Sequence, residues 1–316
     1  MPGRIHRIRG MRGMEAKIAK LREKVEKNEA IHSKIKMINS VEITTGDNIQ
    51  YLCNHYLGKR KDFNPKDHCY NPDIKKEKII IFEDFDKEFN NKNLVFIYTH
   101  LLQDLNELIK KLNLFKNSFK LICHNSDENF CDEHLILLSG VPKLEKIFTQ
   151  NINTKDDRII PLPIGLARHI WPHGKLEIMY HHMNSIPNKD KFIYFNFNIG
   201  TNKEKRQVCF NIIRNKGIGW SNGTNFNTYL NNLKRHKFAI CPEGNGIDCH
   251  RMWECLYLRV IPICKRNILV ERFSQLFPIL ILDDWNDLNI NNINYEDFSW
   301  HNYNKLDFNY WSSLMV

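Results

Sequence analysis

The segment Lys237–Cys264, KFAICPEGNGIDCHRMWECLYLRVIPIC, concentrates the residues best able to do chemistry. An apolar run reads as a buried strand that enters Pro242, Glu243, Gly244, Asn245 and Gly246, and Asp248 stands where it would cap a following helix. Gly244 and Gly246 can take backbone angles closed to other residues, which lets the chain approach a ligand closely. A helix start behind such a turn presents free N–H groups and partial positive charge, which favour a phosphate. His250 and Glu254 are four residues apart and share a helix face, with Arg251 beside them. The guanidinium suits an anion and the carboxylate suits ribose hydroxyls. As bare chemistry the same pattern also describes a plain strand-turn-helix corner with Arg251 and Glu254 paired at the surface.

Three further stretches carry candidate groups. An apolar run over Phe192–Phe197 leads through Asn198, Gly200 and Asn202 into a helix whose first turn holds Lys203, Lys205 and Arg206. Cations there oppose the helix dipole, and a bound phosphate would remove the conflict, so Arg206 and Lys205 are candidates for a diphosphate. In Leu121–Phe130, LICHNSDENF, a buried strand ends in polar groups. Carboxyl ends of strands are where open α/β sheets bind ligands, so Asp127, His124 and Glu128 are candidate proton acceptors. An Asx-turn is the alternative for this stretch. The fourth stretch, Pro161–Gly174, sets Arg168, Trp171 and His173 among turn residues, where they could line a cleft, Trp171 by stacking on a sugar face or by packing in the interior. Clustered Asp283, Asp284 and Asp287 could bind Mg²⁺ or Mn²⁺, but they follow a strand and read better as helix capping. The adjacent His181 and His182 have no partners at ligand spacing, so no metal site is expected.

The elements that must position these groups alternate between strand and helix. Strands are expected at Lys78–Phe82, Leu94–Tyr98, Phe119–Cys123, Phe192–Phe197, Lys237–Cys241, Val260–Cys264 and Ile279–Leu282. Helices are expected at His100–Leu112, Glu204–Asn215, Asn227–Lys234 and His250–Leu258. Residues 158–190, punctuated by Pro and Gly, read as a connection or a long ordered loop. The pattern predicts a helical basic leader over 1–38, an α/β domain over 39–175, a second over 176–290 and an aromatic-rich tail over 291–316 that packs back on the body.

Composition narrows the partners. The chain has 316 residues, 42% hydrophobic and 26% charged, which suits a globular protein with real cores. Its net charge is +10, yet the 1–38 leader holds eleven Lys and Arg against four Glu. The body is therefore close to neutral, and nucleic acid is not an expected partner for it. The leader's short heptad pattern, from Met14 to Val25, allows self-association. Nine cysteines are present with no CxxC pair, several inside apolar runs, so neither zinc nor a disulfide framework is expected. No stretch approaches the roughly 18–20 apolar residues of a membrane span, and no apolar run follows the basic N-terminus as in a secretory signal. A cytoplasmic location is the expectation.

The 237–264 stretch resembles the C-terminal signature of exostosin-like glycosyltransferases. The resemblance rests on Cys241, Pro242, Gly244, Gly246, Asp248, Arg251, Glu254 and the closing strand Val260–Ile263. It covers about 30 residues closely, and compatible order extends over roughly 190–285. Family members are commonly membrane-anchored, a pattern not seen here. The resemblance implies a GT-B fold, two Rossmann-like domains facing a cleft, and an inverting, metal-independent transfer from a nucleotide-sugar. Arg251 would contact the pyrophosphate and Glu254 the ribose. With the readings above, the donor site is expected to comprise Arg206, Lys205, Glu243, Gly244, Asn245, Gly246, Asp248, His250, Arg251 and Glu254. A UDP-sugar is the favoured donor, a hydroxyl of a glycan or glycoconjugate the acceptor, and no cofactor is required. A metal-dependent phosphate hydrolase built on Asp283–Asp287 and a non-catalytic binding protein are the alternatives.

Overall fold

Parallel strands buried on both faces need nearly continuous apolar runs, and such runs organise this chain. The computed structural model describes residues 41–63, 79–81 and 93–316. The expected leader over 1–38 lies outside the described residues. The described residues from 43 onward form one compact unit. Its larger sheet holds β1 (His55–Gly58), β2 (Ile79–Ile81), β3 (Asn93–Tyr98), β4 (Phe119–His124), β6 (Leu144–Thr149) and β8 (Ile159–Pro161). Their spatial order is β2-β1-β3-β4-β6-β8, and every pairing is parallel. β5 (Phe130–Cys131) and β7 (Ile152–Asn153) form a separate parallel pair. A second parallel sheet holds β9 (Lys191–Tyr194), β10 (His236–Ile240), β11 (Ile261–Lys265) and β12 (Leu280–Leu282), in the order β12-β11-β10-β9. The chain is thus mixed α/β with parallel sheets and helices, compatible with a Rossmann-like fold.

The differences from expectation have local causes. β1 and β8 are too short to stand out, and the first half of β6 carries exposed Glu145 and Lys146, so its pattern looks like a loop. The strand expected to reach Phe197 stops at Tyr194, because the Phe195 carbonyl accepts from the Ser221 amide at 2.8 Å instead of continuing the sheet. Phe195 and Phe197 then pack edge-on against Trp220, at 4.8 and 5.4 Å between ring centres. The helix expected from His100 begins as a 3₁₀ turn, Thr99–Asp104, and becomes α-helical at Leu105–Leu112. The Pro/Gly-rich 158–190 stretch contains β8 and a helix, Leu176–Met183. Asp284 caps the short turn Trp285–Asp287, and the Asp287 carboxylate accepts from the Asp284 amide at 2.7 Å.

The C-terminal segment joins the two sheets. Asp307 caps the helix Phe308–Met315 by accepting from the Asn309 amide. Trp311 is buried at 1% exposure and meets Phe273 and Trp253 edge-on at 6.1 and 6.5 Å. Toward the larger sheet, Lys120 on β4 donates to the Met315 carbonyl at 3.0 Å. Tyr257 adds a second tie, its hydroxyl donating to the Leu306 carbonyl and accepting from the Thr44 amide, both at 2.8 Å. Replacing a buried tryptophan by alanine typically costs about 3–5 kcal/mol. Trp311→Ala is expected to lose that much in urea unfolding; a loss under about 1 kcal/mol would mean the tail is not part of the core.

Candidate functional site

In a parallel sheet the chain leaves every strand at the same end, so polar turn residues gather there. β4 exits into Asn125–Asp127, β6 into Gln150–Asn151 and β8 into Leu162–Gly165, while β10 exits into the Pro242–Cys249 loop. These exits meet. Asp248 reaches across with Oδ2 accepting from the Ile164 amide at 2.8 Å, and its own amide donates to Asn151 Oδ1 at 3.0 Å. Asn245 Nδ2 donates to Asp127 Oδ2 at 3.0 Å. Gly246 packs so tightly on Asn151 that an added Cβ would lie 2.3 Å from its Nδ2, which is why no larger residue fits there.

Asp248 lies one residue before the cap position expected for it. The helix His250–Tyr257 is capped by Cys249, which makes no side-chain capping bond. The Asp248 carboxylate instead accepts from the Cys249 amide at 2.7 Å and from Trp253 Nε1 at 3.0 and 3.1 Å. At 3% exposure it is a buried tie between the loop and the larger sheet. Burial pushes its pKa up to about 7 against the lowering effect of its N–H donors.

Two adjoining cavities open along this seam. The larger, about 610 Å³, lies at the carboxyl ends of β9 and β10. Arg206, Gly244, Gly246, Asp248, Arg251 and Glu254 line it. The smaller, about 280 Å³, is walled by Asn125, Ser126, Gln150, Arg168 and Trp171. Asp127, His173, Asn245 and His250 belong to both.

The larger cavity is marked by two guanidinium groups. Arg206 is 9% exposed; its Nε donates to the Glu243 carbonyl at 2.8 Å and Nη1 to the Asn198 carbonyl at 2.7 Å. Arg251 donates to the Asn196 carbonyl and stacks over Tyr229 at 4.7 Å and Tyr194 at 5.6 Å. Burial lowers the Arg206 pKa, and the like charge of Arg251 adds to that effect. Burial also opposes the charge on Arg251, but Tyr229 and Glu254 outweigh it and hold the group above its ordinary range. Glu254, 4% exposed, accepts from the Tyr229 hydroxyl at 2.5 Å. Among the described residues neither arginine forms an ion pair with a carboxylate, although the charge of Glu254 acts on Arg251, and both guanidinium groups line the cleft. That arrangement suits an anion with several oxygens, and Glu254 beside it suits hydroxyl groups.

Four expected site residues lie outside both cavities. His124 is fully buried, with Nε2 3.1 Å from the Pro163 carbonyl and Nδ1 2.8 Å from Asn125 Oδ1. Burial lowers its pKa to about 4. Glu128 is exposed beyond the rim. Lys205 pairs with Glu243 Oε2, and Glu243 Oε1 accepts from Asn267 Nδ2 at 3.0 Å, which turns both away from the cleft. Arg168 is partly committed, its Nε donating to Asp47 Oδ1 at 2.7 Å. Trp171, 42% exposed, stacks on His173 at 6.4 Å. Sequence reading passed over Tyr194, Asn196, Tyr229, Gln150 and Asn151. Only Tyr229 had a signal, as an aromatic on the polar helix Phe226–Leu233.

Compared with known proteins, the chain matches no protein-family model and no curated protein. Among the described residues, no helix is long and apolar enough to cross a membrane. No group of three or more His, Cys, Asp or Glu is placed to hold a metal ion among them either.

The Asp248 tie makes a pH prediction. A raised carboxylate pKa means the folded state holds the proton more tightly than the unfolded chain, where aspartate titrates near about 3.9. The stability it contributes is complete below about pH 4 and is lost as pH rises through about 7. Asp248→Asn does not titrate, so the wild-type stability relative to this variant should fall steadily between those two values. Urea unfolding of both proteins across that range checks it, and a pH-independent difference refutes it.

Proposed function

We propose that the chain is a glycosyltransferase of GT-B type that moves a sugar from a nucleotide-sugar, UDP-linked by preference, to an acceptor hydroxyl with inversion. The single observation that carries this reading is the pair Arg206 and Arg251, free of carboxylate partners among the described residues, on one wall with buried Glu254. A diphosphate would lie against the guanidinium groups, where they offset the charge that builds on the departing nucleoside diphosphate. Glu254 would accept from ribose hydroxyls. A volume of about 610 Å³ fits the range of small-molecule sites. The smaller cavity, with Trp171 and His173 at its mouth, is the acceptor side in this reading. The resemblance of residues 237–264 to the exostosin-like signature points the same way. Asp283, Asp284 and Asp287, on which a metal-dependent hydrolase would depend, line neither cavity and are engaged in capping or in pairs with Arg266 and Lys265.

Thermal unfolding with UDP, GDP, CMP or ADP, with and without Mn²⁺, tests the donor site. A ligand at 100 times its Kd stabilises by about 2.7 kcal/mol, a shift of a few degrees. One nucleotide is expected to give that shift without metal. Charge-assisted hydrogen bonds of the Arg251 kind are worth about 1.5–3 kcal/mol, so Arg251→Ala should at least halve the shift at the same ligand concentration and lower transfer at least about tenfold. Near-normal turnover by Arg251→Ala would remove the diphosphate assignment.

A further inference from the structure

The wall shared by the two cavities holds Asp127, Ile164, His173, Asn245 and His250. These shared residues mark where ligands in the two cavities would come closest to one another. Three of its residues can exchange protons. Asp127 is exposed and its carboxylate already accepts from Asn245 Nδ2 at 3.0 Å. His173 is exposed on Trp171, with no hydrogen bond orienting its ring among the described residues. His250 differs from both. Its Nδ1 lies 2.8 Å from the Gly165 carbonyl, which can only accept, so Nδ1 carries the proton. The lone pair is thereby fixed on Nε2, which has no protein partner among the described residues.

The orienting carbonyl is itself rigidly placed. Gly165 has φ +65°, a left-handed conformation that costs glycine little, and an added Cβ would meet the Thr44 carbonyl oxygen at 2.2 Å. Thr45 bridges to Gly165 as well. An imidazole oriented by a fixed carbonyl is the arrangement that a general base requires.

Resting on the transferase reading above, we infer that His250 is the general base, its Nε2 taking the proton of the acceptor hydroxyl while the Gly165 carbonyl holds the ring. The acceptor oxygen forms a bond to the anomeric carbon as its proton passes to Nε2. The bond from that carbon to the phosphate oxygen breaks, and its electron pair leaves with the nucleoside diphosphate. The imidazolium so formed then returns its proton to water. The charged and titratable groups facing His250 are Glu254 on its own helix, Asp127 from the β4 exit, His173 from the connector and buried His124 behind. Burial outweighs the Gly165 hydrogen bond and the carboxylates and lowers the His250 pKa, which favours the neutral ring that can accept a proton.

The test uses the full chain, UDP as binding probe, and UDP release from UDP-glucose, UDP-galactose and UDP-N-acetylglucosamine with water as acceptor. His250→Asn keeps a donor for the Gly165 carbonyl but has no atom in place of Nε2. It should bind UDP within about threefold of wild type and release UDP about 100-fold more slowly or worse. The wild-type rate should rise with pH and level off below the ordinary histidine value of about 6.5, and this limb should vanish in the variant. In His250→Gly, added imidazole should restore part of the rate. A His250→Asn protein with wild-type turnover and an unchanged pH limb overturns the base assignment and leaves the donor site standing. Wild type that neither binds UDP nor turns over any of these donors overturns the UDP-transferase reading and the base assignment with it.

Discussion

A carboxylate that must be buried to do its work holds this site together. Asp248 sits where the β10 exit loop crosses to the larger sheet, and its oxygens gather N–H groups from Ile164, Cys249 and Trp253. Water is excluded there, so each of these bonds is worth more than at a surface, and losing one would leave a buried donor unpaired. That junction ties the loop and the first turns of the His250–Tyr257 helix to the larger sheet. Asn151 completes it from the other side, taking a left-handed turn at φ 52° so that its amide group meets the loop. Asparagine tolerates that conformation better than most residues because its short polar side chain bonds locally.

The electrostatics of the cleft have the opposite character. Burying charge without a counter-charge is costly, and two arginines on one wall add mutual repulsion. The chain offsets this with backbone carbonyls from Asn196, Asn198 and Glu243, with the faces of Tyr194 and Tyr229 and, for Arg251, with the nearby charge of Glu254. Carbonyl and ring contacts hold a guanidinium in place without neutralising it, as a carboxylate would. Lys205 shows the contrast: exposed on the same helix as Arg206, it pairs with Glu243 and is lost to the cleft. A wall that keeps its positive charge is suited to a phosphate-bearing ligand, and this distinction between held and neutralised cations underlies the proposed donor site.

Rigidity comes from contacts distant in sequence. Tyr257, on the helix that carries Arg251 and Glu254, bonds both the Thr44 amide and the Leu306 carbonyl. Arg272 reaches the Ile159 and Asp156 carbonyls at 2.8 and 2.9 Å from the helix Ile268–Ser274, adding a link between the smaller sheet's helices and β8. Trp311 seals the aromatic cluster beneath Trp253. Cleft residues can therefore be exposed on one side while their backbones stay fixed on the other.

Part of the candidate site was legible in the sequence because it is local. Gly244, Gly246, Arg251 and Glu254 fall within one strand-turn-helix unit, and helix periodicity puts His250 and Glu254 on one face wherever that unit is placed. The alternation of apolar runs likewise announced an α/β chain. Short strands such as β1 and β8 escaped because a few apolar residues carry no period, and half-exposed β6 looked like a loop. The role of each polar residue was decided by partners far along the chain. His124 and Asp127 emerge from one strand three residues apart, yet the Pro163 carbonyl buries the first and Asn245 meets the second in the cleft. Asp248 had the sequence of a helix cap and became a tie because Ile164 lies opposite. His250 had the sequence of a ligand contact, and only the Gly165 carbonyl fixed which nitrogen faces the cleft. Spacing along the chain determines which side chains share an element; which donor or acceptor each one meets depends on how the sheet ends face one another, and that is a property of the folded chain alone.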